Sequence, residues 1–233
     1  MNPFSPKRST AIRQRNILTT LGARDLELLL AKCSRQRFKR RAKLYTEGTL
    51  HKASYFIDSG LVRTFYQSSG GKEITLGYWS SGDLIGGPYF FDDTGIHVWS
   101  AEAVENSVVL AIPGRDLRDL MAKSPRIMSA VLDAVAFKLL WDSLLLQALA
   151  TQTVPSRLAI LLVRLSALYG TTTAEGIELR HGFTQEKLAN MVGTTREWLN
   201  AQVKQLQNEG VLFVKGRKIV ITDLMRLKQS SET

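Results

Sequence analysis

Along this chain the spacing of apolar residues changes twice. From Arg24 to Cys33 they recur at helical spacing (Leu26, Leu29, Leu30), which predicts a short helix. Between about Phe38 and Ile112 the pattern becomes short runs rich in aromatic and β-branched residues, at 53–58, 61–67, 73–79, 97–104 and 107–112. Turn residues separate them, at Ser59-Gly60, Ser69-Gly70-Gly71, Ser81-Gly82-Asp83 and Gly86-Gly87-Pro88. Short strands bounded in this way predict an antiparallel sandwich or roll. Helical spacing then returns: Pro113-Gly114 opens a short helix over 116–123, and Ser124-Pro125 starts a long one reaching about Gln152.

On the long helix Leu132, Val135, Leu139, Asp142, Leu146 and Leu149 follow steps of three and four, nearly a heptad seam. Leu140, Trp141, Leu144 and Leu145 add a second apolar side. A helix apolar on two sides must bury both. One side can cover the roll, and over about 40 Å of helix the other most simply meets a copy of itself in a two-fold dimer. A core helix within one chain is the alternative. Thr153 is a good N-cap, with Pro155 in the first turn of the helix that follows and Gly170 ending it. The expected order is a basic arm at 1–20, a β-roll at 21–123, a dimerisation helix at 124–152 and a DNA-binding domain at 153–233, with a frayed tail from Lys228.

The most informative stretch runs from Thr184 to Leu206. Thr184 caps a helix whose inward face is Leu188, Ala189 and Val192, though Lys187 three residues on makes this less than a full capping box. Gly193 follows as a glycine able to take positive φ, and Thr194 or Thr195 caps the next helix, with Leu199, Val203 and Leu206 inward. Two short helices about a glycine turn predict a helix-turn-helix. Its second helix would present Thr195, Arg196, Glu197 and Asn200 to a major groove. Arg can donate twice to guanine and Glu can accept from cytosine. Strands at 211–215 and 218–222 about a Gly216-Arg217 turn would form a wing. Lys204, Lys215, Arg217 and Lys218 complete the candidate DNA-binding set.

Charge sharpens this picture. The chain carries +10 overall, distributed as 13 Lys/Arg against 3 Asp/Glu in residues 1–52, 7 against 11 in 53–153, and 11 against 7 in 154–233. Basic ends suit nucleic acid, although they also suit acidic proteins and anionic membranes. No run of about 18 apolar residues implies a membrane helix, and no apolar core follows the N-terminal charges as in a secretory signal, so a cytoplasmic protein is expected. The single Cys33 can neither close an internal disulfide nor hold an iron–sulfur cluster, and it reads as a small buried residue at a helix end.

Gly82-Asp83-Leu84-Ile85-Gly86, Ser124-Pro125, Val192-Gly193-Thr194-Thr195-Arg196-Glu197, Asn208-Glu209-Gly210-Val211-Leu212 and Gly216-Arg217-Lys218-Ile219 come in a specific order. With them the chain resembles, over about residues 20–225, the family of the cyclic-AMP receptor protein and the fumarate-and-nitrate-reduction regulators. The resemblance implies an α+β fold: an N-terminal antiparallel β-roll like the cyclic-nucleotide-binding jelly roll, a long dimerisation helix and a C-terminal winged helix-turn-helix. It also implies a homodimer on a two-fold symmetric operator that contacts RNA polymerase.

Departures from the family pattern bear on the ligand. The Gly-Glu and Arg-Ser pairs that hold a cyclic nucleotide fall on Gly86-Gly87 and His97-Val98, and the Thr-Ser pair of the long helix falls on Asp142-Ser143. Without the arginine, and with a carboxylate in place, an anionic ligand is disfavoured. His97 leaves haem or another ligand such as a cyclic dinucleotide as an alternative, although a lone histidine is more often structural. Trp79, Tyr89, Phe90, Phe91 and Trp99 surround the ligand position, which points either to a small, partly apolar or aromatic effector or simply to the roll's core. On the recognition helix, Ala201 stands where the family has a second arginine, so one guanine contact is lost. An enzyme is disfavoured: the three histidines (His51, His97, His181) and Cys33 form no catalytic or metal-ligand spacing, and Asp92-Asp93 reads as a turn. The basic run Arg35, Arg37, Lys39, Arg40, Arg41 and Lys43 could touch an acidic protein, flanking DNA or the polymerase, or be a solvated face.

Overall fold

The computed structural model describes residues 16–71, 73–87, 90, 94–179, 183–216 and 218–231. The chain divides into two units, one of Gln14–Trp141 and the other from Asp142 onward. The division falls inside the long helix rather than near residue 152.

The first unit runs α1 (Ile17–Thr20), α2 (Ala23–Leu30), β1 (Ser34–Phe38), β2 (Lys43–Tyr45), β3 (Ser54–Ser59), β4 (Leu61–Gln67), β5 (Glu73–Ser80), β6 (Leu84–Ile85), β7 (Ser100–Ala103), β8 (Ser107–Ile112), α3 (Gly114–Lys123) and α4 (Pro125–Thr151) as far as Trp141. Its strands form two four-stranded sheets, β1-β8-β3-β6 and β2-β7-β4-β5, with antiparallel pairing throughout. Alternation along β3 and β8 gives each strand two faces. Phe56, Leu110 and Ile112 lie on the face that packs with Leu29, Leu117, Ile127, Val131 and Ala134 from the helices. Full burial of such side chains is worth roughly 1.5–3 kcal/mol each, so this layer fixes the helices on the roll.

Ile17 and Leu21 belong to the same core, and Asn16 caps α1 by accepting the Thr19 N–H. The chain is therefore built into the roll from residue 16, and the expected basic arm is shorter than 1–20; Lys7, Arg8, Arg13 and Arg15 lie outside the described residues. Gly82 is what lets residue 16 approach: it has φ +89 and its carbonyl accepts the Ile17 N–H at 3.2 Å.

On α4 the buried stripe is Ile127, Val131, Ala134 and Trp141. The second apolar side was expected at Leu140, Trp141, Leu144 and Leu145, yet Leu140 is 42% exposed; of these only Trp141 is buried, its indole N–H donating to the Leu76 carbonyl at 2.8 Å. The other side of α4 exposes Leu132, Leu139 (68%), Leu146 (69%) and Leu149, with Val135 half-buried and Asp142 exposed.

The second unit continues through α5 (Val154–Tyr169), β9 (Gly170–Thr173), β10 (Gly176–Leu179), α6 (Gln185–Val192), α7 (Arg196–Asn208), β11 (Leu212–Lys215), β12 (Lys218–Ile221) and α8 (Leu224–Gln229). The wing pair β11–β12 extends into a four-stranded sheet, β11-β12-β10-β9. The β9–β10 hairpin was not anticipated, nor was α8, which Asp223 caps and Leu227 anchors where a frayed tail was expected. No helix among the described residues is long and apolar enough to cross a membrane.

Candidate nucleic-acid interface and sensor interior

The recognition unit is built from short-range contacts. The Thr184 hydroxyl accepts the Lys187 N–H at 3.3 Å, and the Thr195 hydroxyl accepts the Trp198 N–H at 3.2 Å, so Thr195 rather than Thr194 caps α7. Between them Gly193 is left-handed (φ +70, ψ +41), turning the chain from α6 into α7. Leu188, Ala189, Leu199 and Val203 are buried in the unit, while Thr184, Thr195, Arg196, Glu197 and Lys204 are exposed. Thr194 is half-buried. The exposed first turn of α7 carries the positive end of the helix dipole with a guanidinium and a carboxylate beside it. Two expectations change. Asn200 is half-buried with its Oδ1 enclosed and without a hydrogen-bond partner, so it is less open than Arg196 and Glu197. On the wing, Lys215 is exposed, but Lys218 pairs with Glu178 of β10 at 2.9 Å. Arg217 lies outside the described residues.

In the roll, the residues expected around an effector fall into separate surroundings. Trp79 is buried; its indole N–H donates to Thr64 Oγ1 at 2.8 Å, and the Lys138 ammonium of α4 sits 3.1 Å from the centroid of its ring system. Nearby Asp83 accepts the Ser80 N–H at 2.7 Å. Burial pushes its carboxyl up to about 7, against the lowering effects of the Ser80 N–H and of Lys138. His97 lies apart from this pair, stacked on Tyr45 (centroids 3.9 Å, 10° between planes), with His51 at 4.9 Å and Tyr55 beyond Tyr45 at 5.7 Å. Burial, then repulsion from His51, lowers the His97 imidazole to about 4, which keeps it neutral. Burial also raises the Tyr45 phenol.

Phe90 belongs to neither group. It packs in the helix-covered core, its ring where a Cβ on Gly87 would collide. Gly86 takes φ +118 and lies against the Ser54 backbone. Val98 is 38% exposed in the segment before β7, so the strand expected over 97–104 is only Ser100–Ala103, and Asp142 and Ser143 are exposed on the part of α4 that belongs to the second unit. Tyr89, Phe91, Asp92, Asp93 and His181 lie outside the described residues. The expected single aromatic cluster is therefore divided, Trp79 lying in β5 while Phe90 and His97 stand in segments between strands.

A family model of the cyclic nucleotide-binding domain matches residues 35–124, and one of the Crp-like helix-turn-helix domain matches residues 156–230. The chain belongs to the Crp/Fnr family of transcription regulators. It is 29% identical to the fumarate and nitrate reduction regulatory protein of Escherichia coli over 188 residues, 80% of this chain and 74% of that one. Among solved structures it resembles a CooA mutant from Carboxydothermus hydrogenoformans (TM-score 0.79, 25% identity, 94% of this chain and 98% of that one). It also resembles the c-di-GMP-responsive global regulator CLP of Xanthomonas campestris (TM-score 0.77, 25% identity, 86% and 99%). Members of this family are transcription regulators rather than enzymes, and double-stranded DNA is the partner of their helix-turn-helix.

In this Crp/Fnr regulator sequence reasoning missed Tyr45, His51, Asp83 and Lys138 as parts of the sensor interior. A signal existed for the histidines: Leu50-His51 and Ile96-His97-Val98 alternate apolar with polar, and an isolated bridge pairs Leu50 with Ile96. Among the described residues no cluster of three His, Cys, Asp or Glu could hold a metal ion. Burial pushes the Cys33 thiol up to about 12, so it carries almost no thiolate at neutral pH.

Proposed function

We propose that this regulator works as a cytoplasmic homodimer on a two-fold symmetric operator, each α7 entering a major groove with Arg196 and Glu197 on base edges. The observation carrying the reading is the capped first turn of α7, where both side chains are exposed beyond Thr195. Lys204, Lys215 and Arg217 serve phosphates, and Asn200, with its Oδ1 enclosed, contributes less to base reading. The exposed row Leu132, Leu139, Leu146 and Leu149 forms the seam between two copies of α4, a face that a lone chain leaves in water. RNA polymerase is the protein partner.

Two sensor readings follow from different observations. The aromatic interior favours a small, partly apolar or aromatic effector. The Lys138 ammonium on the Trp79 face favours ligand-independent binding, since the helix itself fills that surface. Haem and cyclic dinucleotides are less suited, because His97 is stacked inside the roll at the position where the resemblance places the phosphate-binding arginine. Selection of duplexes from a random pool, repeated with Arg196→Ala, tests the DNA reading. The expected result is a two-fold consensus and a loss of about 1–3 kcal/mol confined to one base-pair position in each half-site. Equal loss on all duplexes would make Arg196 a phosphate contact, and a consensus without two-fold symmetry would remove the dimer.

A further inference from the structure

Only Gln152 and Thr153 separate the end of α4 from the start of α5. So short a junction between two helices is a natural pivot, yet one side chain spans it. Arg157, in the first turn of α5, donates from Nη1 to the Gln152 carbonyl at 2.9 Å and from Nε to the Val192 carbonyl at 2.7 Å. Gln152 immediately follows the last residue of α4, and Val192 is the last residue of α6. Carbonyls at helix C-termini lack an intrahelical donor and carry the negative end of the helix dipole. One guanidinium thus satisfies both ends at once, which a planar fork of donors can do and a point-like ammonium cannot. Packing reinforces the tie: a Cβ on Gly193, the glycine of the recognition turn, would stand 3.1 Å from Leu149 Cδ2 on the last turns of α4. The helix assigned to the dimer seam and the turn that aims α7 therefore meet at Arg157.

We propose that Arg157 is a positioning residue that fixes the angle between α4 and the recognition unit, and so sets which half-site spacing the dimer accepts. The inference rests on the homodimer reading above. Without the tie, the Gln152-Thr153 junction would let each recognition unit swing independently. The dimer would then accept half-sites moved by one base pair, a shift of about 3.4 Å along the axis. Each unit would still grip its own half-site, because the Thr184 and Thr195 caps and Gly193 do not depend on Arg157.

The test uses the full-length wild type, Arg157→Ala and Arg157→Lys, with the selected operator, the same operator with one central base pair added or removed, and a lone half-site. Far-UV circular dichroism and urea midpoints accompany each variant, and the lysine variant keeps charge and bulk should alanine unfold the unit. The wild type should prefer its own spacing by at least about tenfold, a typical coupling between sites. Both variants should bind the lone half-site as the wild type does while that preference falls to about threefold or less. Variants that keep the full preference would overturn the role of Arg157 alone. Equal losses on the half-site and on every spacing would show it to be only a local support of α6. A wild type indifferent to spacing would overturn the two-fold operator reading and this inference together.

Discussion

In the recognition unit the capping contacts close within a few residues, Thr184 on Lys187 and Thr195 on Trp198, with Gly193 turning the chain between. In the roll the contacts cross the fold: Trp79 to Thr64, Trp141 to Leu76 across 65 residues, and Arg63 between Glu73 and Glu102. The difference is one of cooperativity. A cap stabilises its own helix and can be removed by itself, whereas a buried charge depends on partners that exist only when several strands are already paired. The reading head can therefore accept changes one residue at a time. The interior of the roll should respond to substitution as a whole.

Arg63 offers the largest test of that contrast. It is 3% exposed, lies over the Phe65 ring, and pairs with two carboxylates that retain some contact with water. Arg63→Ala leaves Glu73 and Glu102 without their cation and should cost about 3 kcal/mol, read as a lowered urea midpoint of the roll. A cost below about 1 kcal/mol would mean that water solvates the two carboxylates adequately. Gly193→Ala should cost less, about 1–2 kcal/mol, because a side chain is forced into the left-handed region while Leu149 gives way by a few tenths of an ångström. That loss should appear in the second unit and leave the roll's transition in place.

The smallest expected effect concerns pH. His97 is neutral in the fold down to about 4, against 6.5 for a free imidazole, so the unfolded chain binds the extra proton and stability falls as pH drops from 6.5 toward 4. Asp83 works in the opposite sense. Its carboxyl is raised from 3.8 to about 7, so the fold holds the extra proton and stability falls as pH rises between those values. The two slopes offset each other in mild acid. Relative to wild type, Asp83→Asn should make the roll more acid-sensitive and His97→Phe less so, as urea midpoints at pH 5 and 7 would reveal. Parallel curves for all three proteins would show that neither group is held as the structure implies.

Legibility in the sequence followed the same division. The caps, the glycine turn and the exposed Arg196-Glu197 turn could be read directly, since their partners are local. Strands β4 and β8 were anticipated to the residue, because runs of six or seven residues rich in β-branched and apolar side chains are bounded by turn residues. Strands β1 and β2 were missed. Ser34–Phe38 is an edge strand with Arg35 and Arg37 in water, so it shows little of the apolar alternation that marks a half-buried strand. The sensor interior was misjudged for a further reason. Trp79, Phe90 and His97 lie near one another in the chain, but Phe90 and His97 stand outside the strands, where no alternation marks which way a side chain faces, and Lys138 comes from another element altogether.

The ammonium of Lys138 on the Trp79 ring also acts as a tethered competitor. A group held on its own chain beside its site has an effective concentration on the order of millimolar or above. Any effector that needs the Trp79 face must first displace it, and its apparent affinity falls by the fraction of molecules in which that face is open. An effector of that kind would have to be abundant or gain enough elsewhere in the site to bind. Because the displaced group is part of α4, such binding would be felt on the same helix that carries the exposed leucine row.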